Sequence, residues 1–233
     1  MQDRVSLAAS ATAWFAVLIG ALVAATNLRR YVCEQRFLKS LLRRLLKHGR
    51  VETRDDLITL KHFLSGSVSY DLSKREDCRP LLRQSAATTL ARGEGFCGEN
   101  ARVAIRLLNL GGVRANRLYL QGPRWSHVLV EHDWENGRRL FDSHPDPGTL
   151  LRDEDVGRID AWEIERLPNA YRALNPWIAS FRVRLPKRPA LWRKLGECRP
   201  PRLVVAVAES PDLVRALAGF ALLFAGLLTA SFL

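Results

Sequence analysis

Two stretches without a single charge bound what this 233-residue chain can fold into. Residues 5–28 hold 24 uncharged positions, with SATAWFAVLIGALVAA at their heart, and residues 216–233 hold 18, including AGFALLFAGLLTASFL. A helix that crosses a bilayer needs about 20 apolar residues, so the first run qualifies by length and the second approaches it. Two other readings compete. The first run could be a signal peptide processed after Val-Ala-Ala at residues 23–25, although its leader, MQDR, is barely basic. The last run could be an amphipathic or buried helix.

The charge distribution favours two spans. The net charge of +12 sits almost wholly in two flanks. Residues 29–50 carry eight Lys or Arg against the one acid Glu34, and residues 182–202 carry eight against Glu197. The body between them, residues 51–181, has eighteen basic and nineteen acidic side chains. A balanced body excludes the basic face that nucleic-acid binding requires, and no nucleic-acid partner is expected. Lys and Arg gather on the cytoplasmic side of membrane helices, and both blocks lie on the inner side of their apolar runs. The expected arrangement is therefore two-pass in the cell membrane, with both termini outside and the body in the cytoplasm. Anionic head groups attract such blocks.

The interior divides by pattern. Residues 29–50 show apolar positions 37, 38, 41, 42, 45 and 46 against a basic opposite side, which is helical spacing. This helix either lies on the bilayer or is the first helix of the core. RDDLITLKHFLSGSV reads as a second helix, LLRQSAATTLAR after Pro80 as a third, and the run from Cys97 to Leu110 as a fourth, ended by Gly111 and Gly112. Then RLYLQ, HVLVEH and RRLFDS alternate with the period of strands. Helices followed by an antiparallel meander make the fold class α+β. The expected division is a membrane segment over 1–28, a basic juxtamembrane helix over 29–50, a folded domain over 51–165, a proline-rich basic connector over 166–210 and a second membrane segment over 211–233. The four cysteines, Cys33, Cys78, Cys97 and Cys198, form no CxxC, and a cytoplasmic domain keeps them as free thiols.

GEGFCGENARV, residues 93–103, is where chemistry concentrates. Cys97 opens a helix after two closely spaced glycines, and first-turn N–H groups favour an anion there. Positions 97, 101, 104, 105 and 108 share one face, so the thiol points to the strands, while Arg102, Arg106 and Asn109 lie on the other side. A thiolate nucleophile needs a base and a group that orients it. His127 opens HVLVEH, and Asp142 lies in RRLFDS. A two-residue turn at Asn136-Gly137 pairs Glu131 with Asp142 and leaves His127 about 13 Å away along the strand. A longer turn that shifts the register by four sets His127 and Asp142 opposite one another. Glu131, on the face of His127, either binds an amine or hydroxyl or pairs with an arginine, and Glu99 complements the helix dipole. His132 and His144 are expected to be surface or structural. No pair among Cys97, His127, His132 and His144 has the short spacing of a structural zinc site, so neither metal nor cofactor is expected. GEGFCGEN lacks the lysine of a phosphate-binding loop.

GFCGENARVAIRLLNLGGVRANRLYLQG, then SHVLVEH, then LFDSHPDP, over residues 80–147, resembles the transglutaminase-like superfamily. The resemblance implies a papain-like α+β core and a Cys-His-Asp triad: Cys97 the nucleophile, His127 base and acid, Asp142 the group that fixes the imidazole. It also implies thiol-based acyl transfer on a protein or peptide substrate, by hydrolysis or transamidation. Members include bacterial proteins of unassigned activity that carry membrane helices. The chain departs from that family's pattern at the oxyanion site. Papain-like peptidases place a glutamine shortly before the cysteine, where only the more distant Gln84 is found, and transglutaminases use a tryptophan, where the only upstream one is Trp14. The alternative reading is a membrane-tethered binding or scaffold protein that keeps the fold without turnover.

Overall fold

The computed structural model describes residues 2–70, 82–121, 126–144, 151–160 and 200–232. Cys78, Cys198 and most of the expected connector fall outside them.

α1 (Gln2–Leu45) is one helix of 44 residues, about 66 Å long at 1.5 Å per residue. The first apolar run and the basic segment behind it thus join without a break. The basic segment is a core helix: Leu38, Leu42 and Leu46 recur every fourth residue and are buried. They pack with Leu57, Leu60 and Leu64 of α2 (Arg54–Ser67) and with Ile105, Leu107 and Leu108 of α4 (Cys97–Leu110). α2 starts where Thr53 and Asp56 cap each other's backbone N–H groups.

α3 (Ala86–Arg92) is shorter than the periodicity after Pro80 predicts. The Ser85 hydroxyl accepts from the Thr88 N–H at 3.2 Å, and this cap starts the helix at residue 86. Gly93, at φ 66°, ends it in the left-handed conformation that glycine adopts without strain. Two short strands follow from that stop: β1 (Ser69–Tyr70) pairs in parallel with β2 (Glu94–Gly95). Gly95 fits tightly there: a Cβ would meet Thr89 and Val68 side chains at 3.1 and 3.2 Å.

The meander is β3 (Ala115–Gln121), β4 (Ser126–Trp134) and β5 (Gly137–Phe141), antiparallel in that order. α4 packs on β3 and β4. A second apolar cluster includes Leu118, Leu120, Leu129 and Leu140 with Leu151 and Ile159. The β4–β5 turn is not centred on Asn136-Gly137. Trp134 pairs with Gly137, so the two central residues are Glu135 and Asn136, and Glu135 takes a φ of 51°. The register moves by two residues, and Glu131 pairs with Leu140 rather than with Asp142.

After α5 (Arg202–Ala208), α6 (Pro211–Ser231) begins at Pro211, a residue that suits the first turn because its missing N–H has no helical partner there. α6 runs antiparallel to α1 at very close range. A Cβ on Gly20 would sit 2.5 Å from the Leu223 nitrogen, and one on Gly219 would sit 2.5 Å from the Ala24 nitrogen. Ala13, Ala24 and Ala216 are buried in the chain, whereas Trp14, Phe15, Leu18, Leu22, Phe224 and Leu228 are exposed. α1 and α6 are each long and apolar enough to cross a membrane.

Candidate active site

Cys97 is the first residue of α4, as the sequence predicts. Its helix start is held by Glu99, whose Oε2 accepts from the Phe96 N–H at 3.1 Å. One turn in, Asn100 clamps the helix to the chain just beyond β5. The Ser143 hydroxyl donates to Asn100 Oδ1 at 3.1 Å, and Asn100 Nδ2 donates to the Ser143 carbonyl at 3.4 Å. This clamp holds the start of α4 against Ser143, the neighbour of Asp142, and Cys97 and Asp142 line one crevice.

Continued one pair past Val130–Phe141, the observed register puts Asp142 opposite Leu129. Asp142 then lies diagonal to His127, a separation that side chains span across a sheet. Asp142 Oδ2 lies 3.0 Å from His127 Nε2, and Oδ1 accepts from the His144 N–H at 3.0 Å. Both carboxylate oxygens are thereby fixed. His127 also hydrogen-bonds the Cys97 side chain. With Nε2 on the carboxylate, Nδ1 is the ring nitrogen left for the sulfur. All three expected site residues are brought together, and all are buried.

The electrostatics of the ring follow from this placement. Burial disfavours a charged imidazole, but the Asp142 carboxylate and its hydrogen bond, joined by the hydrogen bond and charge of Cys97, outweigh it. The His127 pKa is carried up to about 10. An imidazolium at neutral pH beside a cysteine is the partner that a thiolate needs.

An aromatic cluster closes over the pair. The His144 ring stands 5.2 Å from that of His127, Tyr70 lies 3.8 Å from His144, and Tyr70 stacks on Phe96 at 5.4 Å. Tyr70 carries no sequence signal, because β1 has two residues and two residues have no period. Asn100 and Ser143 were equally hidden, since their clamp is a tertiary contact. Cys97 itself is 2% exposed, and the crevice beside it holds about 10 Å³, close to the room one water needs.

The remaining polar residues are placed elsewhere. Gln84 lines a different cavity, and its carbonyl accepts from Arg102 Nη1 at 3.0 Å. Glu131 accepts from Asn116 Nδ2 at 3.3 Å and lies 3.7 Å from Arg138, so its partners include the arginine that the sequence reading allowed. His132 is wholly buried beside Phe141 and Trp134, where burial pushes its pKa down to about 4. Among the described residues, no group of three or more His, Cys, Asp or Glu is placed to hold a metal ion. Cys33 and Cys97 are free thiols.

No protein-family profile matches the chain, and no curated protein matches it. Solved structures do match, among them two of low identity. One is a protein provisionally named a cysteine protease, from Cytophaga hutchinsonii, with 18% identity and a TM-score of 0.40 over 47% of this chain. The other is a transglutaminase, with 14% identity and a TM-score of 0.44 over 57% of this chain. This chain spans 37% of the length of each.

Proposed function

We propose that this chain is a two-pass membrane protein whose α+β domain has a papain-like, transglutaminase-like core and carries out thiol-based acyl transfer on amide or peptide substrates. The observation that carries the reading is His127, held between the Cys97 sulfur and the Asp142 carboxylate. In the proposed reaction the thiolate of Cys97 attacks the carbonyl carbon, and the Cys97 N–H donates to the developing oxyanion. As the C–N bond breaks, His127 gives its proton to the departing amine and a thioester remains on Cys97. His127, now neutral, takes a proton from water or from an acceptor amine as that group attacks the thioester. The sulfur leaves as thiolate and the imidazolium is restored. Asp142 keeps the ring in the useful tautomer throughout.

The membrane part rests on the hairpin of α1 and α6. Small residues lie at the contact and large apolar ones face outward, the pattern of helices packed in lipid rather than in water. Ala24, inside the alternative processing site, packs against Gly219, so cleavage there would strip α6 of its partner. The basic blocks beside the two apolar runs favour a domain on the cytoplasmic side.

The test is capture of an acyl adduct on Cys97 in native membranes, identified by peptide mass spectrometry. An adduct lost in Cys97→Ala and in His127→Ala supports the reaction, and its absence from active-site-directed probes ends it. A fusion of alkaline phosphatase after Leu151 reads the topology: strong phosphatase activity overturns the cytoplasmic placement. The closed crevice favours a second reading, a tethered scaffold without turnover. Iodoacetamide separates the two, because a scaffold leaves Cys97 no more reactive than the exposed Cys33.

A further inference from the structure

A cavity of about 510 Å³ lies where the uncharged runs of α1 and α6 end. Gly20 packs against Leu223 and Ala24 against Gly219. Carried along the antiparallel pair, this register brings Arg30, just past the first apolar run, level with the start of α6 at Asp212 and Arg215. Arg30, Asp212 and Arg215 all line the cavity, and Arg83, from the segment that leads into α3, closes it from the domain side. Its volume falls in the range of about 300–1,000 Å³ typical of small-ligand sites.

The lining is positive. Three arginines stand against two carboxylates, Glu34 and Asp212. Both carboxylates are engaged within the protein. Asp212 accepts from Arg215 Nη1 at 2.7 Å, while Glu34 accepts from the Ala87 N–H at 3.2 Å and lies 3.5 Å from Arg106, which is not part of the wall. Arg30 is exposed. Phe37 and Leu82, 47% and 53% exposed, add an apolar surface to the same wall. Guanidinium groups fit phosphate oxygens in pairs, and apolar side chains beside them suit the glycerol and first methylenes of a lipid.

We propose that this cavity binds the phosphate head group of an anionic phospholipid, with Arg30 and Arg83 on the phosphate and Phe37 and Leu82 on the acyl-glycerol junction. The proposal rests on the reading of α1 and α6 as a membrane hairpin. Lipid in this position would seat the domain against the bilayer surface and press on the α1 and α3 elements that pack against α4.

Cys33 is a built-in reporter, because it lines the cavity and is exposed. The full-length chain is placed in phosphatidylcholine vesicles, with or without phosphatidylglycerol. Alkylation of Cys33 by the neutral reagent N-ethylmaleimide is followed by peptide mass mapping. Phosphatidylglycerol is expected to slow this alkylation several-fold. Arg30→Gln and Arg83→Gln are each expected to raise the phosphatidylglycerol content needed for protection about fivefold, while Lys39→Gln, which removes a nearby charge outside the lining, leaves it unchanged. Equal rates in both vesicles overturn the proposal, as does an equal effect from Lys39→Gln, which would mean diffuse surface attraction. Protection by glycerol 3-phosphate in phosphatidylcholine vesicles, as strong as by the lipid, supports the phosphate site and gives its ligand to solution. Carbonate extraction keeps the two readings apart. A chain that washes off the vesicles sinks the membrane hairpin, whereas one that stays embedded with an indifferent Cys33 sinks only the lipid site.

Discussion

His127 is buried, yet it is set to hold a proton well above neutrality, because a carboxylate and a sulfur face its two sides. Removing the carboxylate charge reverses the balance. In Asp142→Asn burial acts with less opposition, so the ring loses its proton at lower pH. The alkaline limb of the proposed turnover at Cys97, expected near pH 10 in the unaltered protein, then moves down. Turnover at neutral pH falls by about 10²–10⁴, the usual contribution of a positioned acid–base group. A pH–rate profile of both proteins checks this, and an unmoved alkaline limb would contradict the assignment. His132 shows the opposite case. Its pKa is near 6.5 in the unfolded chain and about 4 in the folded one, so between these values the unfolded state binds more protons. Its contribution to stability is complete above pH 6.5 and is lost as pH falls towards 4. For His127 the contribution is complete below 6.5 and is lost as pH rises through 10. Thermal melts across pH should therefore show stability falling at both ends, with His132→Leu flattening the acid side alone.

At the scale of elements, the β4–β5 turn decides whether the site exists. Asn136-Gly137 is the stronger local turn signal, and a turn centred there would leave His127 and Asp142 far apart. The chain instead turns at Glu135 and Asn136. The two-residue shift keeps every side chain on its own face, Val130 and Phe141 in one core cluster and Leu129 and Leu140 in the other, but it sets Val130 directly opposite Phe141. Glu135 bears the strain, as an exposed side chain at a φ of 51°. Glu135→Gly should stabilise the domain by about 1 kcal/mol, as expected for relief of the left-handed conformation, and raise Tm by about 2–4 °C. The bounds of α4 and the order of the strands were legible, since each carries local periodicity or a glycine stop, and the three residues of the candidate site were singled out by their chemistry on those elements. The register, β1 and the clamp of Asn100 on Ser143 were not, because each depends on a partner distant in sequence. The hairpin of α1 and α6 is intermediate: its apolar runs are plain, but its close contact rests on three glycines, Gly20, Gly219 and Gly226, that no period marks. Gly219→Leu would drive a side chain into the Ala24 backbone. An overpacking cost of about 1–3 kcal/mol should appear as a lower Tm in detergent micelles.

At the scale of the molecule, both hairpin helices are tied to the helix that carries Cys97, and the ties are buried ion pairs. From α1, Glu34 lies 3.5 Å from Arg106 of α4. Ahead of α6, Glu209 accepts from Arg117 Nε at 2.6 Å and from Nη2 at 2.8 Å, and Arg102 of α4 lies 3.5 Å away. Glu209, Arg102 and Arg117 are each no more than 2% exposed. Such a group is weak evidence for net stability, since burying three charges is itself costly, but breaking it leaves arginines in the interior without their counter-charge. Glu209→Gln should therefore cost about 3–5 kcal/mol. Arg152→Gln, which breaks an exposed pair with Glu154, should cost about 0–1 kcal/mol. The two variants also differ in where the loss appears. Arg102 lies five residues after Cys97 and Arg117 is on β3, so Glu209→Gln should loosen α4 against the sheet before the hairpin separates. Amide hydrogen exchange would read this as faster exchange through α4 and β3, with α1 over residues 9–28 unchanged. Faster exchange spread evenly over every element would mean that Glu209 supports the whole fold and does not couple the hairpin to α4.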